Sequence, residues 1–322
     1  MELGYMLSSE EHPPGDLIAA AAAAEEAGFT FAMISDHYNP WIDRQGQSPF
    51  VWAVIGGLAQ VTERIRIGTG VTCPTIRIHP AIVAQAAATA ACMLPGRFFL
   101  GVGSGERVNE HVVDGPWPAP DARLEMLEEA IGIIRDLWEG DLTTFRGTHF
   151  TVEQGRLYTL PDMPPPLYVA ATGSRSVSVA AKAGDGLITT SPDAQLVRSF
   201  HDAGGRGPRL GKLTVCWDQD PERARRTAHE IWPNIAIPGP VGAELPLPRD
   251  FEQITSLLTS EEVCSRVVCG DDPEEHLAAI RGYADAGFDH LVVHQVGPRQ
   301  EGFLHFYRDR ILPEAVDLEA AA

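Results

Sequence analysis

Arg97-Phe-Phe-Leu-Gly-Val-Gly-Ser-Gly-Glu106 decides how this 322-residue chain is read. An apolar run, Phe98 to Val102, ends in alternating glycines and a carboxylate. The pattern is that of a buried strand opening into a tight loop, because glycine permits positive φ and lets a ligand approach the backbone. Phe31-Ala-Met-Ile-Ser-Asp36-His37 has the same design, an apolar run capped by an acid and an imidazole, with Trp41 four residues on. Strand ends carrying Asp36-His37 and Glu106 point to one site built from several strand-to-helix loops.

Working outward from that stretch, Glu2 to Leu7, Phe31 to Ser35, Ile65 to Val71 and Arg97 to Gly103 read as strands. The segments between them read as helices: one N-capped by Asp16 and stopped at Ala27-Gly28, then Pro49 to Thr62 and Pro80 to Met93. Further on, Leu167 to Ala171, Asp185 to Thr190, Leu213 to Trp217 and His290 to His294 supply four more strands. Helices are expected over Asp121 to Trp138, Val177 to Ala183, Pro221 to Trp232, Pro273 to Ala286 and from Phe303. Eight strands alternating with helices predict an α/β fold, a (β/α)8 TIM barrel, over a doubly wound sheet. One domain covers residues 1–322, with insertions around 104–120, 140–165 and 233–260. Leu142 to Val152 reads as a hairpin. The Pro- and Gly-rich stretch Pro233 to Pro248 lacks periodicity and is expected to cover the barrel mouth.

A formal net charge of −19 argues against nucleic acid and anionic membranes as partners, and 44% hydrophobic residues suffice for a large core. Lys182 and Lys212 are the only lysines. The five cysteines are odd in number and lack metal spacing, as expected of reduced thiols in a cytoplasmic protein. No signal-peptide pattern is present, and the Ala-rich run Leu17 to Ala24 is too short to span a bilayer.

Several motifs carry chemistry, each with a plainer reading beside it. Gly101-x-Gly103-x-Gly105 reads as a ligand-hugging loop or simply as a turn; a dinucleotide fingerprint is disfavoured because it follows the fourth strand and ends in Glu106. Asp36-His37 reads as an orienter and base, or as a structural hydrogen-bonded pair. Trp41 walls a planar ligand or only packs. Thr172-Gly173-Ser174 leads into a helix and reads as a phosphate cradle or as capping by Ser174 or Ser176. Gly70-Val71-Thr72-Cys73 suggests a bulge near a ligand, while Cys73 has no activating base in view. No zinc spacing is present, and His290 and His294 on one strand face lack a third ligand, so no metal site is expected.

Taken together, Ser35-Asp36-His37-Tyr-Asn-Pro-Trp41, Gly68-Thr-Gly-Val71, Gly101-Val-Gly-Ser-Gly-Glu106-x-x-Asn109-Glu110 and Ala183-Gly-Asp-Gly186 resemble the luciferase-like flavin/deazaflavin superfamily. Within it the chain resembles the coenzyme F420-dependent glucose-6-phosphate dehydrogenases, from Leu3 to about Leu312. The resemblance implies a (β/α)8 barrel with insertions, usually a homodimer, acting on a small molecule. It implies that Asp36, Val71, Ser104, Gly105, Asn109, Thr172, Gly173 and Ser174 line the deazaflavin site, with a cis peptide between Gly70 and Val71. It further implies His37 as the base for the substrate hydroxyl, Trp41 as a substrate wall, and Glu106 as an acid near the ring. Lysines that the resemblance implies hold phosphate in the sugar-phosphate enzymes fall here on or beside Asp193 and near Ser265. The expectation is therefore an F420-dependent oxidoreductase acting on a non-phosphorylated substrate, oxidising an alcohol or reducing a C=C, C=N or C=O bond. The alternatives are F420-dependent oxidation of glucose 6-phosphate, an FMN-dependent monooxygenase, and a catalytically silent flavin-binding barrel.

Overall fold

A computed structural model describes residues 1–315 and Leu318. Eleven strands are present among them: β1 (Glu2–Leu7), β2 (Phe31–Ile34), β3 (Arg66–Thr69), β4 (Phe98–Val102), β5 (Thr143–Arg146), β6 (Thr151–Gly155), β7 (Leu167–Ala170), β8 (Gly186–Ile188), β9 (Arg209–Cys216), β10 (Val268–Cys269) and β11 (His290–Gln295). Eight of them pair in parallel in the cyclic order β1-β2-β3-β4-β7-β8-β9-β11, and β11 returns to β1. This is the closed (β/α)8 barrel that the alternation predicts, and closure removes the exposed edges an open sheet would carry.

The barrel closes because alternate residues on each strand face opposite ways. Met6, Phe31, Met33, Phe99, Tyr168, Ile188, Leu210 and Val292 point inward and form one inner cluster. Glycine makes room for them: a Cβ at Gly68 would fall 2.0 Å from the Phe99 ring. The opposite faces pack on helices Pro14–Ala27, Val51–Val61, Pro80–Met93 and Pro120–Trp138 and their successors. Arg97 ties the start of β4 to the loop before β3, donating from Nη1 to Ile65 O at 3.0 Å and from Nη2 to Thr62 O at 3.0 Å.

The hairpin β5–β6 lies apart from the barrel as an antiparallel pair. The first helix begins at Pro14, so Asp16 sits in its first turn rather than at the cap. Proline at N1 explains the earlier start, since its fixed φ suits a helix and its missing N–H costs nothing there. β9 begins four residues before the expected Leu213. Its first half pairs with β8 (Leu187↔Arg209), and its second half pairs with the unforeseen β10 (Cys269↔Cys216). The stretch after Trp232 is more ordered than its composition implied. It holds a 3-10 turn, Pro233–Ala236, and short helices Gly239–Gly242 and Pro248–Thr255.

No helix among the described residues is long and apolar enough to cross a membrane. His290 bonds Asp289 at the N-terminal end of β11, while His294 bonds Glu11 at the C-terminal end. Among the described residues no group of three side chains could hold a metal ion.

Candidate active site

The C-terminal ends of the strands converge on one mouth, the end of a barrel where loops are free to carry function. β1 runs into Ser8-Ser9-Glu10-Glu11, β2 into Asp36-His37, β3 into Gly70-Val71-Thr72 and β4 into Gly103 to Glu106. The Gly70–Val71 peptide is cis, as the resemblance implied.

His37 is the centre of this mouth. Its Nε2 lies 3.5 Å from Glu10 Oε1 and 3.7 Å from Glu106 Oε2, and its Nδ1 lies 3.2 Å from Asn39 O. The Trp41 ring stands edge-on to the imidazole with centroids 4.8 Å apart. His37, Trp41 and Glu106 are therefore brought together. Trp41 is buttressed by Phe251 from helix Pro248–Thr255 at 5.3 Å, so the insertion that follows Trp232 braces the wall of the mouth.

Asp36 is not the partner of His37, contrary to both readings of that dipeptide, as orienter and base or as a structural hydrogen-bonded pair. Its carboxylate is turned down into the protein, where Thr72 Oγ1 donates to Oδ2 at 2.7 Å and Arg77 Nη2 donates to Oδ1 at 2.8 Å. The reason is electrostatic: a fully buried carboxylate needs a cation, and the Arg77 guanidinium supplies it. Arg77 also faces Glu110, whose Oε2 accepts from the Arg77 backbone N–H at 2.6 Å. Asn109 spends its side-chain oxygen on the backbone N–H groups of Tyr38 (3.0 Å) and Asn39 (3.3 Å), which fixes the loop that presents His37.

The carboxylates of the mouth differ in character. Burial pushes Glu10 up, but His37, the Ser35 hydroxyl and Lys212 outweigh it and hold Glu10 below its ordinary value. Glu106 moves the other way: burial raises it, Glu10 adds to the rise, and His37 and Lys212 oppose it. Its side chain is 40% exposed. Burial pushes Glu110 to about 7 against the pull of Arg77. The Cys73 thiol is driven well above its usual value by burial and by Glu110, Glu106 and Asp36, which removes it as a nucleophile.

The remaining residues implied for the deazaflavin lie on the neighbouring strand ends. Val71 faces the glycine floor of β4, where a Cβ at Gly103 would fall 2.8 Å from Val71 Cγ2 and 3.7 Å from Ala170 Cβ. Ser104 and Gly105 follow, the latter at φ 91°. The floor is thus pared to backbone and small side chains, as a flat ring requires. Thr172, Gly173 and Ser174 follow β7 at the start of helix Ser174–Ala183, with Thr172 and Ser174 exposed. Ser176 is the capping side chain, its Oγ accepting from Thr172 N and Gly173 N at 3.2 Å each. A helix N-terminus open to solvent beside a flat floor fits a planar ring with a phosphate-bearing tail.

Glu10 and Lys212 had no place in the sequence reading. Two acids three and four residues past the end of the first strand, and a lysine within the apolar strand Arg209–Cys216, are the signals that mark them.

The chain matches the luciferase-like monooxygenase family model over residues 1–290. It is 38% identical to an F420-dependent glucose-6-phosphate dehydrogenase of Beutenbergia cavernae, over 97% of each chain. A second such enzyme, from Tsukamurella paurometabola, is 36% identical over 96% of each. Among solved structures, an F420-dependent secondary alcohol dehydrogenase in complex with an F420-acetone adduct superposes with a TM-score of 0.90 at 30% identity over 98% of each chain. The chain belongs to the luciferase-like monooxygenase family and, within it, to the branch of the F420-dependent oxidoreductases.

Proposed function

We propose that the protein is a coenzyme F420-dependent alcohol dehydrogenase whose base is His37. The observation that carries this reading is the placement of His37 Nε2 between Glu10 and Glu106, with Trp41 as the adjoining wall. The deazaflavin, when bound, supplies the C5 position that accepts or returns the hydride. His37 takes the proton of the substrate hydroxyl, and the ionised Glu10 steadies the imidazolium that results. Trp41 confines the carbinol carbon. Glu106, raised by burial and 3.7 Å from His37, holds a proton that it would give to the ring. In the reverse direction the same groups exchange roles. Val71, Ser104 and Gly105 would hold the ring, and the turn at Thr172 to Ser174 would hold the tail; the Asp36 carboxylate, engaged by Thr72 and Arg77, is not free for either.

Two substrate readings have support. The curated relatives are named for glucose 6-phosphate, and this favours a sugar phosphate. The positions where the resemblance expects phosphate-holding lysines favour an uncharged alcohol instead. Asp193 there caps helix Ala194–Asp202 by accepting from Gln195 N at 2.8 Å, and Ser265 Oγ donates to Glu262 O at 2.7 Å. An acid at the first position would repel a dianion.

The test is a fluorescence titration with F420 and FMN, then turnover assays with glucose 6-phosphate, glucose and propan-2-ol. Binding of F420 with alcohol-dependent reduction is the expected result. Turnover of glucose 6-phosphate alone would establish the sugar-phosphate reading. Preference for FMN with oxygen consumption would overturn the proposal.

A further inference from the structure

Lys212 lies on the inward face of β9, between Leu210 and Thr214. Its partner in register is Val292, a member of the inner cluster, so its stem starts inside the barrel. Its Nζ ends 5.3 Å from the centre of the Trp232 ring, which packs edge-on at 4.3 Å against His294 near the C-terminal end of β11. The side chain therefore climbs toward the mouth that holds His37. It is only partly exposed.

The charges around it are already engaged with others. Glu11 pairs with His294 at 2.8 Å and accepts from Gly297 N at 2.8 Å. Glu10 accepts from Ser35 and Ser8 and lies 3.5 Å from His37 Nε2, and Glu106 lies 3.7 Å from the same nitrogen. Among the described residues the Lys212 ammonium makes no hydrogen bond and no ion pair, although Glu10, Glu11 and Glu106 act on it through space. An ammonium has three donors and no acceptor, and those of the half-buried Lys212 are free for a ligand in the mouth. Glu10 and Glu11 balance its charge without using those donors. A further dianion gains little in such surroundings, whereas a neutral oxygen acceptor gains a charge-assisted hydrogen bond.

We propose that Lys212 is a specificity-determining residue of the substrate mouth, donating to a second oxygen of the alcohol while His37 engages the reacting hydroxyl. The substrate class is then an oxygenated alcohol, such as a vicinal diol or a sugar ring, rather than a simple alkanol. This rests on the alcohol dehydrogenase reading above.

The experiment compares kcat/KM for propane-1,2-diol and propan-2-ol in wild type, K212M and K212R, with F420 titration and thermal melting of each. The methionine keeps the stem against Trp232; K212Q replaces it in the comparison if K212M melts early. Wild type is expected to prefer the diol. K212M is expected to lose about 10- to 100-fold on the diol, chiefly through KM, and several-fold at most on propan-2-ol, with partial recovery in K212R. Equal losses on both substrates would assign Lys212 to charge balance alone and overturn the proposal. Absence of any wild-type preference would do the same. Failure of wild type to bind F420 or oxidise either alcohol would instead remove the dehydrogenase reading, and this inference with it.

Discussion

Glu10 Oε1 lies 3.5 Å from His37 Nε2, a contact between the loop after β1 and the loop after β2. The Glu10 side chain is buried and tethered by Ser35. It is therefore a fixed anion rather than a mobile surface acid, and it gives the imidazole a charged neighbour wherever the proton goes.

His37→Ala is expected to lower kcat by about 10²- to 10⁴-fold, the usual worth of a positioned base, with F420 affinity changed only a few-fold. Glu10→Gln keeps the shape and removes the charge, and a loss of about tenfold in kcat is expected. Stopped-flow reduction of F420 with excess alcohol measures both. A catalytically silent flavin-binding barrel would show neither effect.

Glu106 has its proton affinity raised by burial, so the protonated form persists to higher pH than for an ordinary glutamate. A step that needs this acid slows as pH rises through the raised value. Glu106→Gln is expected to reduce kcat by about 10²-fold, to flatten that limb of the pH profile and to leave F420 binding nearly intact. Parallel losses in turnover and affinity would show that Glu106 only binds.

Arg77 holds the fully buried Asp36 at 2.8 Å and faces the equally buried Glu110 at 3.7 Å. Arg77→Met would leave both carboxylates without their cation. Removal of one partner from a buried pair costs about 3–5 kcal/mol, and a drop of about 10 °C in Tm is expected. Arg77→Lys should recover part of this, less than fully because the guanidinium fork is lost. An unchanged Tm would mean that the carboxylates protonate at no cost.

Glu110 supplies a signed pH test. Its value is about 7 in the folded chain against an ordinary 4.5, so the native state binds this proton more tightly than the unfolded state does. The stability it contributes is present at low pH and is lost as pH rises from 4.5 through about 7. Relative to Glu110→Gln, the wild type should lose about 3 kcal/mol across that window, read from denaturant melts at pH 4.5 and pH 8. A wild type that gains on the variant as pH rises would show that Arg77 outweighs burial.

Much of the site was legible in the chain because it hangs on local rules. Glycine alternation after Phe98, the acid and imidazole after Ile34, and the turn after Ala170 each announce a strand end, and strand ends in a barrel share one mouth. The helices Ala194–Asp202 and Ser260–Cys264 escaped, although each carries a readable cap, Asp193 and the Thr259/Glu262 capping box. Their shortness hides the apolar period.

The sequence by itself determined the alternation of strands and helices, the closed parallel barrel that follows from it, and the residue types at the strand ends. Only the tertiary structure decided which of those residues meet. Adjacency along the chain paired Asp36 with His37, but the two side chains serve different neighbours: Arg77 claims Asp36, and Glu10 and Glu106 flank His37. Lys212 fell outside the strand expected from Leu213, and only the register of β9 against β11 turned it inward. The physical reason is range. Periodicity and turn chemistry act over a few residues, whereas a buried charge is settled by whichever partner the fold brings within a few ångströms, and nothing in the local sequence encodes that choice.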